Sequence, residues 1–506
     1  MLGFIILVSI LLGIICWKLV SLAVWAIRAA KITANIPGPK PLPFLGNLLE
    51  FGNTRTLEDG FKRFLKLYKT YCRPPDRILK FWLGPKLVII LGNPQHIEVV
   101  LSSEEALNKD SLYKYMELMS DGVLSQNGDD WVQLRKLLNP FVTRKAIEPC
   151  LESFHEKTVK LIKLLDNKIE NDQVFNIKHF IARYTFDVFF VSNFGCDINE
   201  MDVDRGLDRL FERVVELSFK MMTTFPTCLS FPYAKISKLG RNISSKSQVF
   251  WKLIYDVLQT RKKYKNLADE GVTGNATLYA DMLIKKAEKE NLSWVEIGKS
   301  ATDYVLAGSH SVSLMSSTII LLLAMYPEHQ EAVYQEQLEI LGDDPEVAPT
   351  WEQLSKMTYL TRVFKEVIRL MTAPFIIRDV DNDINLGKFT IPKDSTAFIV
   401  LYSLHRDPTI WSHPEEFYPD HFLPEEKAKR PKNSYLPFSW GPRNCPGILY
   451  AITVTKILVS TLIRKYSFNT DLKFEQLTYK FSIFFDIAQG HMVKKIPRNR
   501  TPVQGA

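Results

Sequence analysis

The stretch Phe438-Ser-Trp-Gly-Pro-Arg-Asn-Cys-Pro-Gly447 restricts the fold of this 506-residue chain more sharply than any other. Two glycines and two prolines tighten it around Cys445, and Arg443 precedes the cysteine by two residues. A loop of this kind can aim several backbone N–H groups at one sulfur. The apolar run that follows, from Ile448 to Val459, reads as a helix whose positive end faces the same sulfur. Both effects favour thiolate over thiol, whose free pKa is about 8.5. A buried thiolate in an apolar setting needs a partner, and a metal is the natural one.

The pattern Phe-x-x-Gly-x-Arg-x-Cys-x-Gly resembles the haem-binding loop of the cytochromes P450. The resemblance implies haem b, iron protoporphyrin IX with a cysteine-thiolate axial ligand. It makes Cys445 the metal ligand, pairs Arg443 with a haem propionate and packs Phe438 beside the sulfur, with Gly441 and Gly447 shaping the loop. Pro446 stands where an aliphatic residue is more usual. Three further matches occur in the family's order. Glu366-Val-Ile-Arg369 puts two charges on one helical face, 76 residues before Cys445 (445 minus 369). In the family this pair ties down the meander that precedes the cysteine loop. Trp131-Val-Gln-Leu-Arg135 resembles the C-helix pair whose donor-only side chains hold a haem propionate. By position, Arg378 joins the cofactor-binding set. Phe417-Tyr-Pro-Asp-His-Phe422 stands where the family has Phe-x-Pro-Glu-Arg-Phe. His421 replaces the arginine that normally joins Glu366 and Arg369. A shorter histidine is expected not to reach carboxylate and backbone together, which predicts a looser triad.

Ser293-Trp-Val-Glu296 reads as a capping box opening a long apolar helix that Pro327 stops. Its centre, Ala307-Gly308-Ser309-His310-Ser311-Val312, resembles the oxygen-activation segment Ala-Gly-x-(Asp/Glu)-Thr-Thr. Small residues at Ala307 and Gly308 are expected to leave room for a diatomic ligand and substrate, and Ser311 supplies the hydroxyl. His310 occupies the acid position. Two readings of it stand: an imidazole with a pKa near ~6.5 that relays protons, or a ring turned away while water delivers them. Phe81-Trp-Leu-Gly-Pro-Lys, Gly122–Lys136 and Tyr184-Thr-Phe-Asp-Val look like the insect members of the family-4 clan. Ala307 stands at the place of that clan's haem-ester glutamate, so the resemblance is to mosquito-type lineages lacking it.

Leu2 to about Ile27 is almost wholly apolar, broken by Lys18. A helix of ~25 residues rises about 37 Å, enough for a ~30 Å hydrocarbon core. Arg28, Lys31 and Lys40 follow it, which predicts a cytosolic body on a single-pass anchor in the endoplasmic reticulum membrane. Ile36-Pro-Gly-Pro-Lys-Pro-Leu-Pro reads as a semi-rigid connection. The expected organisation is an anchor at 1–30, a proline-rich hinge at 31–47 and one haem domain at 48–506, because motifs from Trp131 to Cys445 must meet around one ligand. Six scattered cysteines fit a reducing compartment. Sequons at Asn242, Asn275, Asn291 and Asn499 are expected to stay unmodified there. The charge is +8, with basic clusters at Lys427, Lys429, Arg430 and Lys432 and at Arg135, Lys136, Arg144 and Lys145. They read either as solvated surface or as a face that docks an acidic electron donor. No zinc spacing, phosphate loop, nucleic-acid module or flavin or NADP fingerprint is evident. Electrons must therefore come from a partner, an NADPH-cytochrome reductase, with cytochrome b5 as a second candidate.

Long helical periodicities and a few short strand patterns predict a mainly α fold with a small β region, the cytochrome P450 fold, behind one transmembrane helix. Pocket candidates are Tyr113–Val123, Met221, Met222, Phe225, Tyr304–Val312, Phe375, Ile376, Ala488 and Gln489. Such walls favour a lipophilic substrate. The leading activity is a monooxygenase that hydroxylates or epoxidises it with O2. The alternatives are a haem-thiolate isomerase or dehydratase, and a non-enzymatic haem-binding relative.

Overall fold

Apolar residues recurring at three- and four-residue spacing make most of this chain helical, and the computed structural model bears that out. It describes residues 2–52, 56–223, 230–268, 278–371, 373–481 and 484–498. Phe225, the polar stretch 269–276 and the sequons at Asn275 and Asn499 lie outside the described residues. Helices of nine residues or more are numbered in chain order. They begin with α1 (Leu2–Ile32), α2 (Leu57–Tyr71), α3 (Pro94–Ser102), α4 (Gly128–Leu138), α5 (Leu151–Lys168), α6 (Ile177–Phe194) and α7 (Leu207–Thr223). There follow α8 (Lys238–Ala268), α9 (Tyr279–Glu290), α10 (Trp294–Met325), α11 (Pro327–Leu341), α12 (Thr358–Met371) and α13 (Ile448–Lys465). The strands are β1 (Ile78–Leu83), β2 (Lys86–Leu91), β3 (Val174–Asn176), β4 (Phe375–Asp379), β5 (Ile384–Asn385) and β6 (Thr390–Ile391). The remainder are β7 (Thr396–Val400), β8 (Tyr466–Asn469), β9 (Tyr479–Phe481), β10 (Phe485–Ile487) and β11 (Met492–Pro497).

The chain divides into two compact units. The first holds residues 1–110, 375–405 and 431–444. Its sheet runs β1-β2-β7-β4, antiparallel except for the parallel β2–β7 pair. Gly84, at φ +57°, opens the two-residue turn between β1 and β2, where a side chain would be strained. Tyr68 of α2 and Cys72, which caps it, pack on Leu79, Phe81, Val88, Ile90 and Val400 of the sheet.

The outer length of α1 exposes Phe4, Leu7, Ile10 and Trp17, and the helix is long and apolar enough to cross a membrane. Its last turns are tied to the first unit. Trp25 Nε1 donates to the Lys393 carbonyl at 3.0 Å, and Arg28 pairs with Asp383 at 2.7 Å beside the β5–β6 hairpin. Asn35 donates to the Lys388 carbonyl at 2.9 Å. The proline-rich segment expected to act as a hinge lies along β1. Lys80 N–H donates to the Pro37 carbonyl at 2.8 Å, and Asn47 exchanges backbone and side-chain bonds with Trp82. A Cβ at Gly38 would fall 2.2 Å from the Lys80 carbonyl oxygen, so close approach of the two backbones requires glycine there.

The second unit holds residues 111–374, 406–430 and 445–506. Its axis is α10, opened by the expected capping box of Ser293 and Glu296 and ended at Tyr326 before Pro327. Helices α6, α8, α12 and α13 pack against it. Although α10 is also long and apolar enough to span a membrane, most of it is buried, as a core helix is. Small sheets, β3-β11-β8 and the β9–β10 hairpin, complete the unit.

Candidate active site

The cysteine loop straddles the two units. In the first, Ser439 (φ +64°) and Gly441 (φ +74°) are both left-handed and turn the chain sharply. Gly441 is required twice over, because a Cβ there would also lie 2.0 Å from the Leu101 carbonyl oxygen. Arg443 is buried and donates through Nε to the Leu107 carbonyl at 2.9 Å. Phe438 is half-buried. Arg378, on β4, is buried and donates to the Ile377 carbonyl at 3.1 Å.

In the second unit Cys445 is exposed, three residues before the first residue of α13. The helix places its unpaired N–H groups at that end, where they favour an anion. Gly447 caps α13 with an ordinary φ of −85°, so left-handed geometry does not explain it. Its Cβ position would lie 4.0 Å from the Cys445 sulfur, an ordinary contact. Trp131 is buried on α4, and Arg135 follows one turn later. Burial pulls the Arg135 guanidinium pKa down while the negative charge of Cys445 raises it, so cation and sulfur feel one another.

Helix α10 is buried almost throughout, yet Ala307 is exposed and Ser311 half-buried one turn on. Ser311 Oγ donates to the Ala307 carbonyl. Gly308 has a packing reason as well. A Cβ there would lie 2.1 Å from the Phe189 ring of α6, so this glycine makes room for a neighbouring helix. The His310 ring meets the Phe211 ring of α7 edge-on at 4.6 Å. Burial, reinforced by the Lys178 ammonium, pushes its imidazole down to about 3, so it is neutral at physiological pH.

Glu366, Arg369 and His421 come together. Arg369 forks onto Glu366 with two bonds of 2.8 Å, and both side chains are fully buried. The same guanidinium donates to the carbonyls of Pro414 at 2.7 Å and Glu416 at 2.8 Å. His421 corrects the expectation of a looser triad. Its Nε2 accepts the His413 N–H at 3.2 Å, which leaves Nδ1 to donate to Glu366 at 3.2 Å. Two ring nitrogens thus reach carboxylate and backbone together, as arginine's fork would. Burial alone raises the Glu366 pKa, but Arg369 and His421 hold it below the usual glutamate value.

Several basic residues are already engaged. Arg430 stacks on Trp411 at 4.1 Å, Lys429 pairs with Glu426 and Lys432 with Glu98. Arg144 pairs with Glu148 and lies 4.9 Å over Trp351. Lys136, Lys145 and Lys427 are exposed. Among the pocket candidates Met221 is buried, Met222 and Phe375 are half-buried and Ala488 is exposed. Gln489 bonds the Gln476 carbonyl at 2.8 Å, a turn-stabilising role. Sequence reasoning missed Asp303, a buried carboxylate on α10. Its signal was a lone acid in an apolar helical run.

Residues 36–489 match the family model described as Cytochrome P450. Cytochrome P450 4c3 of Drosophila melanogaster is 29% identical over 498 residues, spanning 93% of this chain and 91% of the relative. Cytochrome P450 4V2 of Homo sapiens is 28% identical over 454 residues, spanning 87% and 85%. Probable cytochrome P450 313a3 of Drosophila melanogaster is 28% identical over 465 residues, spanning 90% and 92%. The chain belongs to the cytochrome P450 family and resembles its family-4 members: it is a haem-thiolate monooxygenase, an oxidoreductase that binds haem b through a cysteine and incorporates an atom of O2.

Proposed function

We propose that Cys445 holds the haem and that the enzyme oxidises a lipophilic substrate, by hydroxylation or epoxidation, with electrons from an NADPH-cytochrome reductase. One observation carries this reading: an exposed sulfur at the positive end of α13, electrostatically coupled to the Arg135 guanidinium. The donor set fits an anionic macrocycle ligated by thiolate. In the second unit, which also holds Cys445, Trp131 and Arg135 are donor-only groups suited to a propionate. In the first unit, Arg378 and Arg443 are buried donor-only groups of the same chemistry. Phe438, Gly441 and Gly447 shape the loop that presents the sulfur. Haem bound there supplies the activation of O2.

The chain's own residues then orient and exclude. Ala307 is exposed in the middle of an otherwise buried stretch of α10, and its small side chain suits a position next to a bound cofactor. Ser311 keeps its proton on Oγ, shared with the Ala307 carbonyl, and has lone pairs left to accept another bond. His310 stays neutral against Phe211 of a neighbouring helix, which supports the second reading of it, a ring turned away while water delivers protons. Lys136, Lys145 and Lys427 are exposed, and we assign them to docking of the reductase. With α1 as a single-pass anchor and Arg28 and Lys31 in its last turns, the body lies on the cytosolic face of the endoplasmic reticulum.

Replacing Cys445 by serine tests the assignment. The reduced holoprotein with carbon monoxide is expected to lose the thiolate-type Soret band, and the reading fails if the band persists. Parent protein reconstituted with purified reductase is expected to consume NADPH in step with product from a panel of fatty acids, hydrocarbons and hormones.

A further inference from the structure

Asp303 lies on α10 one turn before Ala307 and is 2% exposed. One carboxylate oxygen accepts the Leu124 backbone N–H at 2.7 Å. The other faces Gly122, where a Cβ would fall 1.9 Å away. The loop carrying Gly122 and Leu124 is bound to the same helix again, since Asp121 N–H donates to the Lys299 carbonyl at 3.0 Å. From α8, Trp251 Nε1 reaches the Met119 carbonyl at 2.8 Å. Within the loop, Ser125 and Gln126 N–H groups both turn back to the Gly122 carbonyl, at 3.2 and 3.1 Å. The half-buried side chains of Val123 and Leu124 are therefore presented by a backbone pinned at several points.

We infer that Asp303 is a positioning residue that latches the 119–126 loop onto α10 and so sets substrate fit; this rests on the proposed lipophilic pocket. Asp303, Ala307 and Ser311 recur every fourth residue and share one face of α10. The latched loop runs straight on into α4, which carries Trp131 and Arg135. A charge-assisted bond to a buried amide is stronger than a neutral one, and removing it leaves that amide without its acceptor. Gly122 follows from the same geometry: only glycine lets the loop backbone lie against the carboxylate.

The test uses holoprotein of the parent, Asp303→Ala, Asp303→Asn, Gly122→Ala and the Gly122→Ala/Asp303→Ala pair. Amide hydrogen exchange is read at residues 120–126, beside dodecanoic acid binding by spectral shift and its oxidation. Asp303→Ala is expected to speed Leu124 exchange about tenfold or more, since a lost bond of this class is worth a factor of that order. Asp303→Asn, which keeps an acceptor, is expected to stay within about threefold of the parent. Gly122→Ala is expected to loosen the loop while Asp303 is present, and to add nothing once Asp303 is alanine. Dodecanoic acid affinity, KM and product position are expected to shift in Asp303→Ala, with kcat changing less. Leu124 exchange equal to the parent's in Asp303→Ala overturns the inference. So does faster exchange spread evenly over the second unit, or local loosening with no change in dodecanoic acid affinity. If Asp303→Ala yields no holoprotein, Gly122→Ala decides, and unchanged loop exchange in it overturns the inference. A parent that binds dodecanoic acid without oxidising it counts against the proposed substrate class, while exchange and spectral affinity still decide the latch.

Discussion

At Glu366 a fully buried carboxylate stays charged because three partners meet it: a forked guanidinium, a histidine Nδ1–H and the Tyr418 amide at 2.9 Å. Its lowered pKa contributes stability above the unfolded value near ~4.3, lost as pH falls through the folded value. Arg369→Ala, which strands that charge, is expected to cost about 3–5 kcal/mol. His421→Phe, which strands one acceptor and the His413 amide, is expected to cost about 1–3 kcal/mol. Urea unfolding of the holoprotein measures both. Asp379 has the opposite sign. Burial and the neighbouring Asp110 raise its carboxyl to about 7, so the folded state binds a proton that the unfolded chain releases near ~3.9. Stability therefore falls as pH rises from about 4 to about 7. Asp379→Asn is expected to be more stable than the parent at pH 8 and to lose that advantage below pH ~4, as melting curves across pH will show. The sequence displayed the residue types and spacings of these sites. It did not display His421's second bond, because the His413 amide comes within reach only through the path of the meander.

Between elements, α10 and α6 approach closely because Gly308 faces Phe189, whose ring also meets Tyr304 at 4.9 Å and Tyr450 at 5.8 Å. Gly308→Ala is expected to overpack this seam and cost about 1–3 kcal/mol. Phe189→Leu is expected to relieve part of that cost, so that the double substitution is less than additive in urea unfolding. Helix existence was legible from periodicity, and both ends of α10 from its capping box and Pro327. The reason for Gly308 was not, since a motif shows that a small residue is present and only packing shows which neighbour needs the space. Asp303 escaped for a similar reason: its partners are backbone atoms some 180 positions away in the chain.

For the molecule as a whole, mainly α character, the apolar first helix and the family were all legible in the sequence. The docking of the proline-rich segment was not, because prolines suggested a free connection and the bonds to β1 and the β5–β6 hairpin are long-range. Trp25→Ala with Arg28→Ala is expected to speed amide exchange at residues 33–38 in vesicle-bound protein roughly tenfold, from the loss of one hydrogen bond and one exposed ion pair. Exchange equal to the parent's would show that the docking is not held there.

The 31-residue α1 is longer than a ~30 Å hydrocarbon core requires, and a helix with length to spare matches bilayers of different thickness in part by tilting. Because its last turns are fastened to the hairpin, the stalk cannot lean without carrying the first unit with it. Thinner and thicker lipid would therefore turn that unit like a lever, making its orientation a readout of the membrane around it.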